Sequence, residues 1–153
     1  MGPTQSIKTC LAKPLHFKGR AARSEYWWFF VVTVLLSFLF MAIDVYVFQK
    51  DFLEQSISFW SASDTFAILS SLPIAAVGAR RLHDISIPGW PSIVLSILLV
   101  LWTVTEWGTS PDAPLSNFIY VVAVLSLFLL VAAIVPSNRG PNQYGPNPNE
   151  VPS

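Results

Sequence analysis

The chain has 153 residues, a common size for a single domain, so we expect one folding unit. Hydrophobic residues make up 53% of it and charged residues 12%, and the mean hydropathy is +0.54. A small globule has too little polar surface to cover so many apolar side chains, so this composition excludes an ordinary soluble enzyme and a disordered chain. The net charge is zero, which gives no indication of a nucleic-acid partner, and the one cysteine excludes an internal disulfide framework and a Cys-rich zinc site.

Four apolar stretches are long enough to cross a bilayer core of about 30 Å as helices. In chain order they are residues 27–48, 64–82, 91–107 and 115–135. Pro73 lies inside the second stretch, where it predicts a kink and a freed carbonyl that needs a donor from a serine or a neighbouring helix. The predicted fold class is an all-α integral membrane protein with a four-helix transmembrane bundle.

The distribution of basic residues predicts the orientation of these spans. Eight of the nine Lys and Arg residues fall on the side that holds both termini and the loop around residues 80–90, and only Lys50 falls on the other side. Cytoplasmic loops carry the excess of Lys and Arg, so both termini are expected in the cytoplasm. We divide the chain into a cytoplasmic N-terminal tail, a four-span transmembrane domain and a Gly/Pro/Asn-rich cytoplasmic tail, at residues 1–18, 19–136 and 137–153.

The segment before the first span, residues 19–28, combines cations with aromatic residues. Those at helical spacing are Arg20, Arg23, Tyr26 and Trp27. This pattern predicts a short interfacial N-terminal helix that directs cations to lipid phosphates and aromatic rings to the acyl boundary. Glu25 has no cation three or four positions away, so its partner must come from another segment.

The loop after the second span offers that partner, because it carries Arg80, Arg81, His83 and Asp84 together. An acid at a helix C-terminus needs a cation, so one arginine is expected to pair with Asp84 and the other with Glu25. His83 beside Asp84 also permits an oriented imidazole base. Adjacent residues rarely face each other on a helix and no nucleophile is evident, so a non-enzymatic protein is favoured.

The tail after Pro136 is rich in Gly, Pro and Asn, and it repeats a Gly-Pro-Asn unit on either side of Tyr144. Such a composition has little apolar area on which to fold. Disorder and docking on the cytoplasmic face both remain open for this segment.

The segments at residues 19–28, 80–90 and 140–148 together resemble the small bacterial inner-membrane proteins of the domain of unknown function family 805, over roughly residues 14–148. The positions that this resemblance implies as the family signature are Gly19, Arg20, Arg23, Glu25, Tyr26, Trp27, Arg80, Arg81, Leu82, His83, Asp84, Gly89, Trp90, Asn142, Tyr144, Gly145 and Pro148. The chain departs from the pattern at residues 85–88, at Pro91 and at residues 138–139. The resemblance implies a multi-pass protein of the bacterial inner (plasma) membrane, and it supplies no activity, catalytic residue or cofactor.

The favoured hypothesis is a non-enzymatic membrane protein that binds a partner protein or anionic lipid through a cytoplasmic polar cluster. The cluster comprises Arg20, Arg23, Glu25, Tyr26, Arg80, Arg81, His83 and Asp84, and the tail motif comprises Asn142, Tyr144, Gly145 and Pro148. One alternative is a small transporter or channel subunit acting as an oligomer, and another is a lipid-headgroup enzyme using His83 and Asp84. The expected partners are membrane lipids and a membrane protein or second copy of the chain, with no cofactor, metal ion or nucleic acid.

Overall fold

The computed structural model of the protein describes residues 2–47, 61–105 and 116–150. Five helices occur in this part of the chain, and apart from an isolated bridge between Asn142 and Gly145 its regular structure is entirely helical. The helices are α1 (Pro3–Ala12), α2 (Arg23–Tyr46), α3 (Ala62–Asp84), α4 (Trp90–Thr105) and α5 (Ser116–Ile134). The all-α prediction is confirmed, and helices α2 to α5 follow the four predicted apolar stretches. Lys50 lies outside the described residues.

The helices differ in how well they meet the requirements for crossing a membrane. Helices α2 and α3 are long and apolar enough to do so by length and composition. The described apolar stretches of α4 and α5 are shorter, at Trp90–Val104 and Tyr120–Ile134. Large apolar side chains such as Leu35, Phe38 and Leu127 point outward and are more than half exposed. Outward-facing apolar residues are the arrangement that a lipid environment favours.

The N-terminal region differs from the prediction of an interfacial helix over residues 19–28. Residues 19–22 are not helical, and α2 runs from Arg23 directly into the apolar stretch. The physical reason is that the Ala21 amide donates to the carbonyl of Arg80 at 3.0 Å, and both Ala21 and Ala22 are buried. This segment is therefore held against the end of α3. A helix forms instead within the predicted N-terminal tail, as α1.

Helices α3 and α4 pack closely through small and hydroxyl-bearing residues. A Cβ atom added at Gly78 would lie 2.2 Å from Ser92 Oγ. The Ser92 hydroxyl donates to the carbonyl of Ala75 at 3.1 Å, and the Ser96 hydroxyl donates to the carbonyl of Ser71 at 2.6 Å. Helix α4 thus supplies hydroxyl donors to α3 on both sides of Pro73. Small residues with interhelical hydrogen bonds are typical of helix packing in membranes.

The end of α2 and the start of α3 are joined by Asp44. Its carboxylate accepts from the backbone amides of Ala62 and Ser63, both at 2.9 Å. Asp44 is buried, with 1% of its surface exposed. A capping box between Ser61 and Asp64 satisfies further amides of the same turn. The positive end of the α3 dipole stabilises the buried carboxylate, so Asp44 serves helix capping at this end. The polar cluster lies at the opposite end of both helices.

Candidate functional site

The cluster is built where the start of α2 meets the end of α3. Arg20 precedes α2, and the positive φ of +87° at Gly19 turns the chain immediately before it. Asp84 is the last residue of α3, and its Oδ1 atom accepts from Arg20 Nε at 2.8 Å. Both side chains are fully buried. Since a buried carboxylate requires compensation, this ion pair fixes the segment before α2 on the end of α3.

The same Arg20 guanidinium holds the C-terminal tail. Its Nη1 atom donates to the carbonyls of Gly140 at 2.8 Å and Gly145 at 3.3 Å. Its Nη2 atom donates to the carbonyl of Asn138 at 2.7 Å. The tail is therefore docked on the cluster. Of the two alternatives that the sequence left open, disorder and docking, the structure shows docking. Arg20 connects three segments that are far apart along the chain.

Arg81 completes the surroundings of Asp84. It donates through Nη1 to Asp84 Oδ2 and through Nη2 to the carbonyl of Val135, just beyond α5. The sequence prediction that one arginine of the pair satisfies Asp84 is confirmed. Arg20 is a second cation on the same carboxylate, which the sequence did not indicate.

The other predicted pair also forms, between Arg80 and Glu25. Arg80 Nη1 lies 2.6 Å from Glu25 Oε1, and the two side chains are 4% and 5% exposed. This confirms the hypothesis that the remaining arginine pairs with Glu25. The pair connects the first turn of α2 to α3.

Helix α1 covers the Arg80 and Glu25 pair. Ser6 and Cys10 are buried on its inner face, and the Cys10 thiol lies 3.9 Å from Glu25 Oε1. Burial, together with the negative charge of Glu25, raises the pKa of Cys10 from 9.0 to about 12, and the nearby Arg80 opposes this rise. The thiol is therefore neutral at physiological pH.

His83 is oriented by the tail and by the segment before α2. Its ring is stacked on that of Tyr144, with 3.9 Å between centroids and 6° between planes. Its Nδ1 atom lies 3.1 Å from the Gly19 carbonyl, and because a carbonyl only accepts, Nδ1 carries the proton in this contact. A Cβ atom at Gly89 would lie 2.9 Å from His83 Nε2. The ring thus packs between three segments, while the two carboxylate oxygens of Asp84 accept from arginines.

The tail motif forms a tight turn that contacts the end of α3. Asn142 and Gly145 exchange backbone hydrogen bonds of 3.0 Å, and Gly145 has a φ of +131°, a conformation that favours glycine. The Asn142 side chain donates to the carbonyl of His83 at 2.9 Å and accepts from the Tyr144 amide at 2.9 Å. Pro148 is partly buried after this turn.

Sequence reasoning missed Asn147, which holds the tail together from within. Asn147 is 5% exposed, and its amide donates to the carbonyl of Asn138 at 3.1 Å and to Glu150 at 2.8 Å. The asparagines of the repeated Gly-Pro-Asn unit could have indicated an ordered tail, because Asn side chains commonly form hydrogen bonds with nearby backbone in turns.

Besides His83, two predicted members of the cluster lie outside its ion pairs. Arg23 is exposed at the start of α2, with Nη1 at 3.5 Å from the carbonyl of Ile134. Tyr26 is buried in the apolar core, stacked on Phe30 and in edge contact with Trp27. In residues 2–47, 61–105 and 116–150, no group of three or more His, Cys, Asp or Glu side chains is arranged to hold a metal ion.

The fold and this cluster define a small α-helical membrane protein in which buried ion pairs connect the N-terminal segment to the second apolar helix, and hydrogen bonds from the same arginines hold the tail. The chain belongs to the family described as protein of unknown function (DUF805), whose profile matches residues 14–146. The inner membrane protein YhaH of Escherichia coli strain K12 is 26% identical over 136 residues, which cover 89% of both chains. The inner membrane protein YhaH of Escherichia coli O157:H7 matches with the same identity and coverage. No solved structure gives a significant match.

Proposed function

We propose that this protein is a non-enzymatic, four-span protein of the bacterial inner membrane, with both termini in the cytoplasm, that binds anionic phospholipid headgroups. The binding surface surrounds a cytoplasmic cap, defined here as residues 19–22, 80–90 and 136–150. The location is supported by the similarity to YhaH, which is named an inner membrane protein.

The number of spans is supported by the contacts of Arg20. Through Asp84 and the tail carbonyls, Arg20 brings the start of α2, the end of α3 and the chain after α5 to one end of the bundle. In this arrangement α2 crosses the membrane and α3 returns to the first side. Helices α4 and α5 must then form a second pair of crossings. An even number of crossings with both termini on one side satisfies these contacts. The excess of Lys and Arg on that side supports a cytoplasmic location for it.

Lipid binding is supported by the separation of the cations into two groups. The buried arginines Arg20 and Arg81 donate to carboxylates and carbonyls of the protein itself. The cations left exposed at the same end are Lys8, Lys13, Lys18, Arg23 and Arg139. Such cations attract anionic headgroups by about 1 kcal/mol each.

The observation that carries the proposal is the exposed Arg23 on the first turn of α2, close in sequence to the exposed Trp28. Trp90, at the start of α4, is exposed as well. Tryptophan side chains favour the level of the lipid headgroups, so they indicate that Arg23 lies at that level. At that level the Arg23 side chain can bind lipid phosphate groups without a rearrangement of the protein.

The test measures the phospholipids that co-purify with the full chain in native membrane patches. A Lys18→Gln, Arg23→Gln double variant is expected to retain less phosphatidylglycerol than wild type, by about fivefold for each cation removed. Lys50→Gln, on the side assigned to the periplasm, is the matched control and should retain the wild-type amount. Equal retention by all three proteins would contradict lipid binding, and loss of a co-purifying protein instead would identify a protein partner.

A further inference from the structure

The buried part of the cluster holds more positive than negative charge. Three arginines, Arg20, Arg80 and Arg81, are buried at this end of the bundle together with two carboxylates, Glu25 and Asp84. Three guanidinium groups against two carboxylates leave one positive charge in excess. An uncompensated buried charge is strongly unfavourable, so a further anion is favoured at this place.

The hydrogen bonds of Arg80 indicate where that anion binds. Arg80 Nη1 is bonded to Glu25, whereas Nε and Nη2 are buried and have no acceptor among the described residues. These two N–H groups share one edge of the planar guanidinium, and this edge binds two oxygens of a phosphate or carboxylate side by side. In Arg20 both corresponding atoms are used, by Asp84 and by the carbonyl of Asn138. Arg80 therefore has a bidentate edge whose two donors are not satisfied.

We propose that this edge of Arg80 binds one phosphate group carrying a single negative charge, as found in the phosphodiester of a lipid headgroup. The inference rests on the proposed function and specifies a headgroup subsite within it. One such group neutralises the excess charge and satisfies two buried donors. Cys10 of helix α1 lies 3.9 Å from Glu25, the carboxylate bonded to Arg80, so the subsite is next to this helix. Free phosphate has the same chemistry, and the experiment separates the two sources.

The main comparison is between a conservative change at Arg80 and a change outside the proposed binding surface. Arg80→Lys keeps the charge but removes the bidentate edge, and Lys50→Gln removes a charge on the side assigned to the periplasm. We expect Arg80→Lys to bind phosphatidylglycerol about tenfold more weakly, the value for one charge-assisted hydrogen bond, and Lys50→Gln to bind as wild type does. Binding is measured on the full chain in maltoside micelles, which contain no phosphate, as phosphatidylglycerol is added.

A second variant keeps the test decisive if Arg80→Lys does not fold. Glu25→Gln preserves the shape of the side chain and raises the buried excess from one positive charge to two. It should bind phosphatidylglycerol more tightly than wild type if Arg80 is a phosphate site. Unchanged or weaker binding by this variant would overturn the inference.

The source of the phosphate is resolved by thermal unfolding. Stabilisation of wild type by phosphatidylglycerol, with no inorganic phosphate added, assigns a lipid headgroup. Stabilisation by inorganic phosphate in maltoside micelles without phospholipid, at matched ionic strength, assigns the free ion. Either result supports the inference only if Arg80→Lys requires about tenfold more ligand for the same stabilisation, and the absence of both overturns it.

Failure of the inference is distinguishable from failure of the proposed function. If wild type binds neither phosphatidylglycerol nor inorganic phosphate, both are wrong. If wild type binds phosphatidylglycerol and loses this binding on removal of Lys18 and Arg23, but Arg80→Lys binds as wild type does, the subsite alone is wrong.

Discussion

Arg20 uses the geometry of the guanidinium group more fully than a lysine could. Its three nitrogens point in fixed directions and donate to Asp84, Asn138, Gly140 and Gly145. A lysine ammonium is a point charge without this planar fork, so it cannot reproduce the same set of acceptors. Three of the four acceptors are backbone carbonyls, and the position of the tail therefore depends directly on this one side chain.

Arg20→Gln should destabilise the protein strongly, because it leaves buried acceptors without their donor. We expect a loss of about 3–5 kcal/mol in the free energy of unfolding, the usual cost of removing one partner of a buried ion pair. Chemical unfolding in detergent micelles measures it. Arg139→Gln, at an exposed arginine of the tail, is the matched control and should unfold like wild type. Equal stability of the two variants would show that Arg20 does not hold the cap.

The residue-level contacts differ in how far the sequence could predict them. The Glu25 and Arg80 pair was predictable, since a lone acid near a membrane must find a cation and few cations are available. The bonds from Arg20 to Gly140 and Gly145 were not predictable, because any residue type offers a backbone carbonyl. The stacking of His83 on Tyr144 depends on the conformation of the tail, so the sequence could not predict it either.

At the level of elements, the apolar helices were predictable and the short helix α1 was not. Long apolar runs determine α2 to α5, because the backbone must satisfy its own hydrogen bonds in lipid. Helix α1 has only 10 residues, and so short a helix is marginal in isolation. It is stabilised by packing Ser6 and Cys10 against the start of α2, a tertiary contact without a sequence pattern. Pro3 in its first turn was the available indication.

The close approach of α3 and α4 predicts a specific rescue. Gly78→Ala should destabilise the protein by about 1–3 kcal/mol, because the new methyl group collides with the Ser92 hydroxyl. Adding Ser92→Ala removes that oxygen and should restore much of the loss, since the remaining Cβ contact is 3.2 Å. A double-mutant cycle on the free energy of unfolding measures the coupling. Additive effects would argue against this helix contact.

The docking of helix α1 on the rest of the protein can be measured through the reactivity of the Cys10 thiol. The folded pKa of about 12 exceeds the ordinary 9.0, so near neutral pH the buried thiol should be alkylated about a thousandfold more slowly than an ordinary thiol. The control is Leu11→Cys in a Cys10→Ser background, because Leu11 is exposed on the same helix. Above pH 9 the control rate should level off while the Cys10 rate continues to rise towards pH 12. Equal rates would show that α1 is not docked.

At the scale of the whole molecule, the proposed four-span arrangement predicts that both chain ends lie on the same side of the membrane. Reporter proteins active only in the cytoplasm should therefore work when fused at either terminus. A reporter active only in the periplasm should work when inserted at residues 48–60. Periplasmic activity from the C-terminal fusion would exclude the four-span arrangement, whatever the positions of the other helices.

The contacts of Arg20 with the tail also have a consequence for biosynthesis. Arg20 is made 118 residues before Asn138 and 120 residues before Gly140, whose carbonyls accept its hydrogen bonds. A nascent chain that stops before residue 138 contains every apolar helix but leaves this guanidinium short of acceptors. We expect such a product to have a loosened cap, which would make it a better substrate for proteases. The tail, which is made after the apolar helices that the structure describes, would thereby distinguish a chain that contains it from one interrupted before it.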